Sequence, residues 1–262
     1  MAEAVPQGRV FHERHDRILK ITIDNVAKKN SFTPDMMEQL SDALTLLDGD
    51  DGLWVGVICA NGPDFTAGLN MPMFFGPNAT RKPLPEGNVD PFGMAKACRK
   101  PIVTAVQGIC FTLGIELMLA GDIVIAATDC RFSQLEPKRG IAAMGGAHYR
   151  FIARAGWGDA MYHLLLADEF SATEAHRIGF VQEVVAPGEQ IERAMEVARI
   201  IAGNAPRAVQ VTKAAGRAFI EAGEQAAIAF LPRIRERVLG TADAAEGIKS
   251  FIERRTGKFT GQ

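Results

Sequence analysis

The chain has 262 residues, 47% of them hydrophobic and 23% charged, enough to bury one large core without disulfide or metal staples. Its formal charge of −2 provides no basic field, so nucleic acid and anionic lipid are excluded as expected partners. Cys59, Cys98, Cys110 and Cys130 form no CxxC pair and lie mostly in apolar stretches, which reads as buried thiols in a reducing, cytoplasmic setting.

The first nine residues lack an apolar signal region, and no stretch approaches the roughly 18 continuous apolar residues of a membrane span. Neither export nor membrane insertion is expected. Ile18 to Ile23 alternates and is β-branched, so a strand is expected there; a second is expected over Leu53 to Ala60, after the Asp48-Gly49-Asp50-Asp51-Gly52 turn. Between them Thr33 as N-cap and Pro34 at the first position open a helix with Met36, Met37, Leu40, Ala43, Leu44 and Leu47 on its apolar stripe. Met71 to Pro91 is proline-rich and aperiodic, a loop long enough to act as a lid.

Beyond Lys100-Pro101, Ile102 to Val106, Gly114 to Ala120, Ile123 to Ala127 and Cys130 to Ser133 read as strand, helix, strand, strand. From Gly145 the pattern is mainly helical. Ser171 with Glu174 forms a capping box, Gly179 ends that helix, and Phe180 to Val185 reads as the last strand. Helices are expected over 189–202, 206–222, 223–239 and 242–254. The alternation defines an α/β fold, with residues 1–200 as an α/β core and 201–262 as a helical region suited to packing between subunits.

Two glycine-bearing turns carry the chemistry: Gly62 to Asn70 after one strand, and Gln107 to Glu116 after another. Glycine lets a backbone approach a ligand closely, and the second turn runs into a helix whose free N–H groups favour negative charge. Together they could polarise one carbonyl oxygen; singly, each reads more readily as an ordinary strand-to-helix turn. Glu116, in the first turn of its helix, also suits a capping role there. Glu136, before Pro137, reads on its own first as an exposed loop carboxylate.

These segments resemble the crotonase superfamily, the enoyl-CoA hydratase/isomerase family. The resemblance runs through Asp64-Phe65-Thr66-Ala67-Gly68, Gly108 to Asp122 around Gly114-Ile115-Glu116-Leu117, and Phe132 to Ile141 with Gly145-Gly146. It continues in Ala172-Thr173-Glu174-Ala175, Gly179-Phe180-Val181, and the tail from Phe251 to Arg255 with Lys258-Phe259. It implies a spiral of β-β-α units, a C-terminal helical trimerisation region, and a homotrimer or homohexamer. The implied substrate is an acyl-CoA thioester, with no cofactor beyond the coenzyme A that is part of it. The implied oxyanion donors are the N–H groups of Leu69 and Leu113, with Ala67, Gly68 and Gly114 shaping the substrate site. Glu116 would activate water and Glu136 would deliver a proton. Lys29 and Lys258 match basic positions near the CoA phosphates and read equally as solvated surface lysines.

Thr112-Leu113-Gly114 departs from the glycine-rich triplet of the hydratases, and Asn70 stands where many relatives carry Asp. Ala143 and Met144 supply no third carboxylate, so the dienoyl-isomerase pattern is not met. His12, His15 and Asp16 have no further ligand spacing, and HExxH, GxSxG, GxGxxG and a phosphate loop are absent; no metal is expected. His148, Tyr149 and Arg150 read as a helix start outside the site. The expected activity is hydration of a 2-enoyl-CoA. Isomerisation or epimerisation of an acyl-CoA on the same scaffold is the alternative, and a noncatalytic acyl-CoA-binding protein is a third reading.

Overall fold

The computed structural model describes residues 8–75, 77, 79–80 and 83–262. Strands β1 (Arg9–His15), β2 (Ile18–Asp24), β3 (Val55–Ala60), β4 (Ile102–Val106), β6 (Ile123–Ala127) and β9 (Glu183–Val185) form one sheet in the order β1-β2-β3-β4-β6-β9. β1 and β2 are an antiparallel hairpin and the remaining pairs are parallel. A second sheet joins β5 (Ile109–Phe111), β7 (Arg131–Ser133) and β8 (Phe170–Ser171).

The chain passes repeatedly from the first sheet to the second, from β4 into β5 and from β6 into β7. The two preceding turns make the same step with single bridges, Thr66 pairing with Cys110 and Phe32 with Leu69. This repetition generates the spiral of β-β-α units.

Side-chain alternation divides the first sheet between two apolar layers. Val55, Val57 and Cys59 of β3, with Val103, Ala105 and Ile125, pack beneath Ala194, Met195 and Ala198 of α6 (Gln190–Ala202). Ile58, Ala60, Val106, Val124 and Ala126 face the other way, onto the core that holds α1 (Pro34–Gly49) and α3 (Leu113–Ala120). The Thr33 hydroxyl caps α1 by accepting from Met36 N–H at 3.3 Å.

Several boundaries differ from the sequence reading. The Leu53 N–H closes the preceding turn onto the Asp50 carbonyl, so β3 begins at Val55. Phe180 and Val181 donate to the Ala175 carbonyl instead of joining the sheet, which leaves the last strand as Glu183–Val185. The Ser171 hydroxyl caps α5 (Ala172–Arg177), but the box is not reciprocal, because the Glu174 carboxylate pairs with Arg177. His12 and His15 lie exposed on β1 and Asp16 on its turn.

The loop expected over 71–91 opens with a short helix, α2 (Met71–Phe75); Gly76, Asn78, Arg81 and Lys82 of that stretch lie outside the described residues. α4 (Ala147–Leu166) contains a break at Gly156. At the C-terminal end α7 (Pro206–Ala229) is interrupted at Gly223, φ 77°, where a helix boundary was expected, and helical bonding resumes beyond it. α8 (Leu231–Val238) and α9 (Ala242–Ile252) follow.

Among the described residues no helix is long and apolar enough to cross a membrane.

Candidate active site

The two glycine turns are zipped to each other. Phe65 N–H donates to the Gln107 carbonyl at 2.8 Å, Thr66 N–H to Ile109 at 2.9 Å, and Phe111 N–H returns to Thr66 at 3.0 Å. The Asp64 carboxylate accepts from Ile109 N–H at 2.9 Å. Gly108 makes this approach possible: its φ is +51°, and a Cβ there would stand 2.1 Å from the Pro63 carbonyl oxygen.

Beyond the zipper both turns border a cavity of about 630 Å³. Ala67, Leu69, Thr112, Leu113, Glu116 and Glu136 all line it, among apolar side chains that include Met37, Phe74, Phe92 and Met144. Among the described residues, neither the Leu69 nor the Leu113 N–H donates to a protein acceptor, whereas Ala67 N–H is spent on the Lys29 carbonyl and Gly68 N–H on the Thr66 hydroxyl. Leu113 N–H is the first of α3, and a first-turn donor has no partner inside its own helix. Thr112 before it has φ 49° and ψ −112°, a strained conformation for a β-branched residue.

Glu116 is 5% exposed. Its Oε1 accepts from Gly145 N–H at 2.7 Å and Ala147 N–H at 3.1 Å. It therefore reaches away from its own helix to the N-terminus of α4, where free N–H groups and the helix dipole favour a carboxylate. Burial leaves its pKa raised, and those two N–H groups, with Arg150 and His148, limit the rise. Arg150 fixes the turn from behind by donating to the carbonyls of Gly145, at 2.9 Å, and Phe92. The sequence reading left Arg150 outside the site; the Gly145-Gly146 pair ahead of a helix pattern was the signal that a turn there needed support.

Glu136 starts the 3₁₀ turn Glu136–Arg139. Its Oε1 accepts from Gln134 Nε2 at 3.0 Å, while Oε2 is buried with no partner among the described residues. Burial is the main cause that pushes its pKa up to about 7, and the nearby Glu116 charge adds to the rise. The cavity thus holds two carboxyl groups in unlike surroundings, one solvated by peptide N–H groups and one nearly unsolvated.

The other residues singled out from sequence fall elsewhere. Gly114 packs against Thr66, Cys110 and Phe65, Gly68 sits beside the Thr112 hydroxyl, and Lys29 and Lys258 are exposed and do not line the cavity.

The profile of the family described as enoyl-CoA hydratase/isomerase matches residues 13–262. Among solved structures, a probable enoyl-CoA hydratase/isomerase from Mycobacterium abscessus superposes with a TM-score of 0.92 at 40% identity, covering 97% of this chain and 98% of that one. An enoyl-CoA hydratase from Mycobacterium tuberculosis H37Rv superposes with a TM-score of 0.87 at 32% identity, covering 98% and 100%. Among curated relatives, the 2,3-dehydroadipyl-CoA hydratase of Escherichia coli K12 is 29% identical over 255 residues, 95% of this chain and 97% of the relative.

The architecture is therefore that of the crotonase fold. The chain belongs to the enoyl-CoA hydratase/isomerase family and is an enzyme of that family.

Proposed function

We propose that this enzyme adds water across the double bond of a 2-enoyl-CoA thioester. The observation that carries the reading is the unlike pair Glu116 and Glu136 lining one apolar cavity with two unpartnered peptide N–H groups. The thioester oxygen sits between the N–H groups of Leu69 and Leu113. Charge develops there as the enolate forms, and each fixed donor in a dry site lowers the barrier by about 3 kcal/mol.

Glu116, whose ionised form is favoured by the N–H groups of Gly145 and Ala147, takes a proton from the water that attacks Cβ. Its Oε1 is committed to the backbone, which leaves Oε2 for the water. Glu136, with a pKa near 7, carries the proton that goes to Cα. Hydroxyl joins Cβ, hydrogen joins Cα, and the proton gained by Glu116 balances the one lost by Glu136. Coenzyme A enters as part of the substrate, with Ala67, Gly68 and Gly114 shaping the thioester site and Lys29 and Lys258 offered to its phosphates.

The helices from residue 206 onward form the oligomerisation region of a homotrimer or homohexamer in the cytoplasm. Supporting this are large apolar side chains left in water, Phe251 84%, Ile252 73%, Leu239 66% and Phe219 53% exposed. Four free buried cysteines support the reducing compartment.

The test is loss of the enoyl-thioester absorbance on adding enzyme to a panel of 2-enoyl-CoAs. Turnover that falls at least 100-fold in both Glu116→Gln and Glu136→Gln supports hydration. Isomerisation or epimerisation without water addition, surviving in one of the two variants, refutes it.

A further inference from the structure

One side chain at the cavity has no part in that chemistry. Arg139 lines the same space as Glu116 and Glu136, among Leu135, Ile141, Ala142 and Met144. Among the described residues its guanidinium has neither a hydrogen-bond nor an ion-pair partner, whereas Arg131, Arg150, Arg177, Arg193 and Arg255 are all engaged. Glu38 of α1 also reaches the cavity, and it is partnered.

Its placement is fixed by the 3₁₀ turn that begins with Glu136. Three residues complete one such turn, so Glu136 and Arg139 lie one above the other on the same face, about 6 Å apart along the axis. In the proposed reaction Glu136 addresses Cα. A cation one turn further along the same cavity wall lies within a few ångströms of the chain that Glu136 addresses.

We infer that Arg139 recognises an anionic group on the acyl chain, so that the preferred substrates are ω-carboxylated 2-enoyl-CoAs and not plain alkenoyl-CoAs. The inference rests on the acyl-CoA reading of this cavity and deepens it. The chemistry suits the residue: the planar guanidinium fork binds a carboxylate through two parallel hydrogen bonds. Arg139 is exposed at the cavity wall, so the gain comes from this two-point geometry and the opposite charge, which a neutral chain end cannot offer. A CoA phosphate offers similar oxygens, and the experiment separates the two sources.

The experiment compares kcat/KM for an ω-carboxy enoyl-CoA and the neutral enoyl-CoA of equal chain length, in the intact enzyme, Arg139→Leu and Arg139→Lys. The expected preference of the intact enzyme for the carboxylated chain is tenfold or more; it collapses or inverts in Arg139→Leu and returns in part in Arg139→Lys. Calorimetric binding of the two saturated acyl-CoAs, and of free CoA, accompanies it. A preference kept in binding while neither enoyl-CoA is hydrated would sink the hydratase reading and leave this inference standing. Equal handling of the two chains by the intact enzyme, or an Arg139→Leu loss of the same size for free CoA as for both acyl-CoAs, overturns it.

Discussion

Replacing Gly145 with alanine tests how Glu116 is held. The φ of Gly145 lies outside the left-handed region, so alanine suits the backbone, but its Cβ would stand 2.4 Å from Glu116 Oε2, 2.7 Å from Cδ and 2.9 Å from the Phe92 ring. Carbon atoms do not approach so closely, and the carboxylate must swing away, breaking the 2.7 Å bond from Gly145 N–H. A hydrogen bond to a charged group is worth about 1.5–3 kcal/mol. Its loss removes one of the two N–H groups that hold the Glu116 pKa down, so the pKa rises. A base misplaced by about 1 Å costs on the order of 100-fold in rate. As a base Glu116 acts when ionised, so a raised pKa moves the acidic limb of the pH profile to higher pH. Initial hydration rates across pH should therefore show kcat down about 100-fold and that limb shifted to higher pH. Saturated acyl-CoA should still bind and the thermal melt should stay cooperative. Unchanged kcat with an unmoved limb refutes the account.

Glu136 predicts a second pH effect with two readouts. As the acid it must be protonated, so kcat/KM for hydration falls as pH rises above about 7. Its folded pKa lies above its ordinary 4.5, so the stability it contributes is present below 4.5 and is lost as pH rises to about 7; discounted for its partial exposure, this is roughly 2 kcal/mol. Urea unfolding at pH 5 and pH 8 should show that loss in the native protein and not in Glu136→Gln; equal slopes would argue against a raised pKa. Thr112→Gly should stabilise the fold by about 1 kcal/mol, because it relieves a strain of roughly 1–3 kcal/mol and loses about 0.5–1 to glycine's freedom in the unfolded chain; an unmoved urea midpoint contradicts this. Phe251→Asp should shift the sedimenting species toward monomer, and a native protein that already sediments as a monomer would remove the oligomer proposal.

Local chemistry made part of this molecule legible. Thr33-Pro34 announces α1, the strand over 18–23 stands out by its β-branched alternation, and those over 102–106 and 123–127 stand out because burial on both faces makes them almost wholly apolar. The crotonase resemblance identified the fold and drew attention to both glutamates. What stayed hidden depends on partners distant in sequence. β1 is polar along most of its length and is a strand because β2 supplies its hydrogen bonds. β5 has only three residues and read as a turn, since its pairing with β7 lies some twenty residues further on. Glu116 looked like a residue serving its own helix, and nothing local indicates that Gly145 and Ala147 hold it. Arg139 passed unremarked for the same reason, because only the folded cavity distinguishes it from other surface arginines.

The zipped glycine turns bear on how such a site can change over time. In the proposed mechanism the oxyanion is held by peptide groups, and a peptide group survives almost any replacement of the side chain beside it. Proline is the exception, since it removes the N–H itself. The side chains of Leu69 and Leu113 are thereby freed from the reaction and can shape the chamber around the acyl group. Substitutions at these two positions can retune which chains are accepted while the polarising geometry, written in backbone torsions and in the Thr66–Ile109 and Phe111–Thr66 hydrogen bonds, is passed on intact.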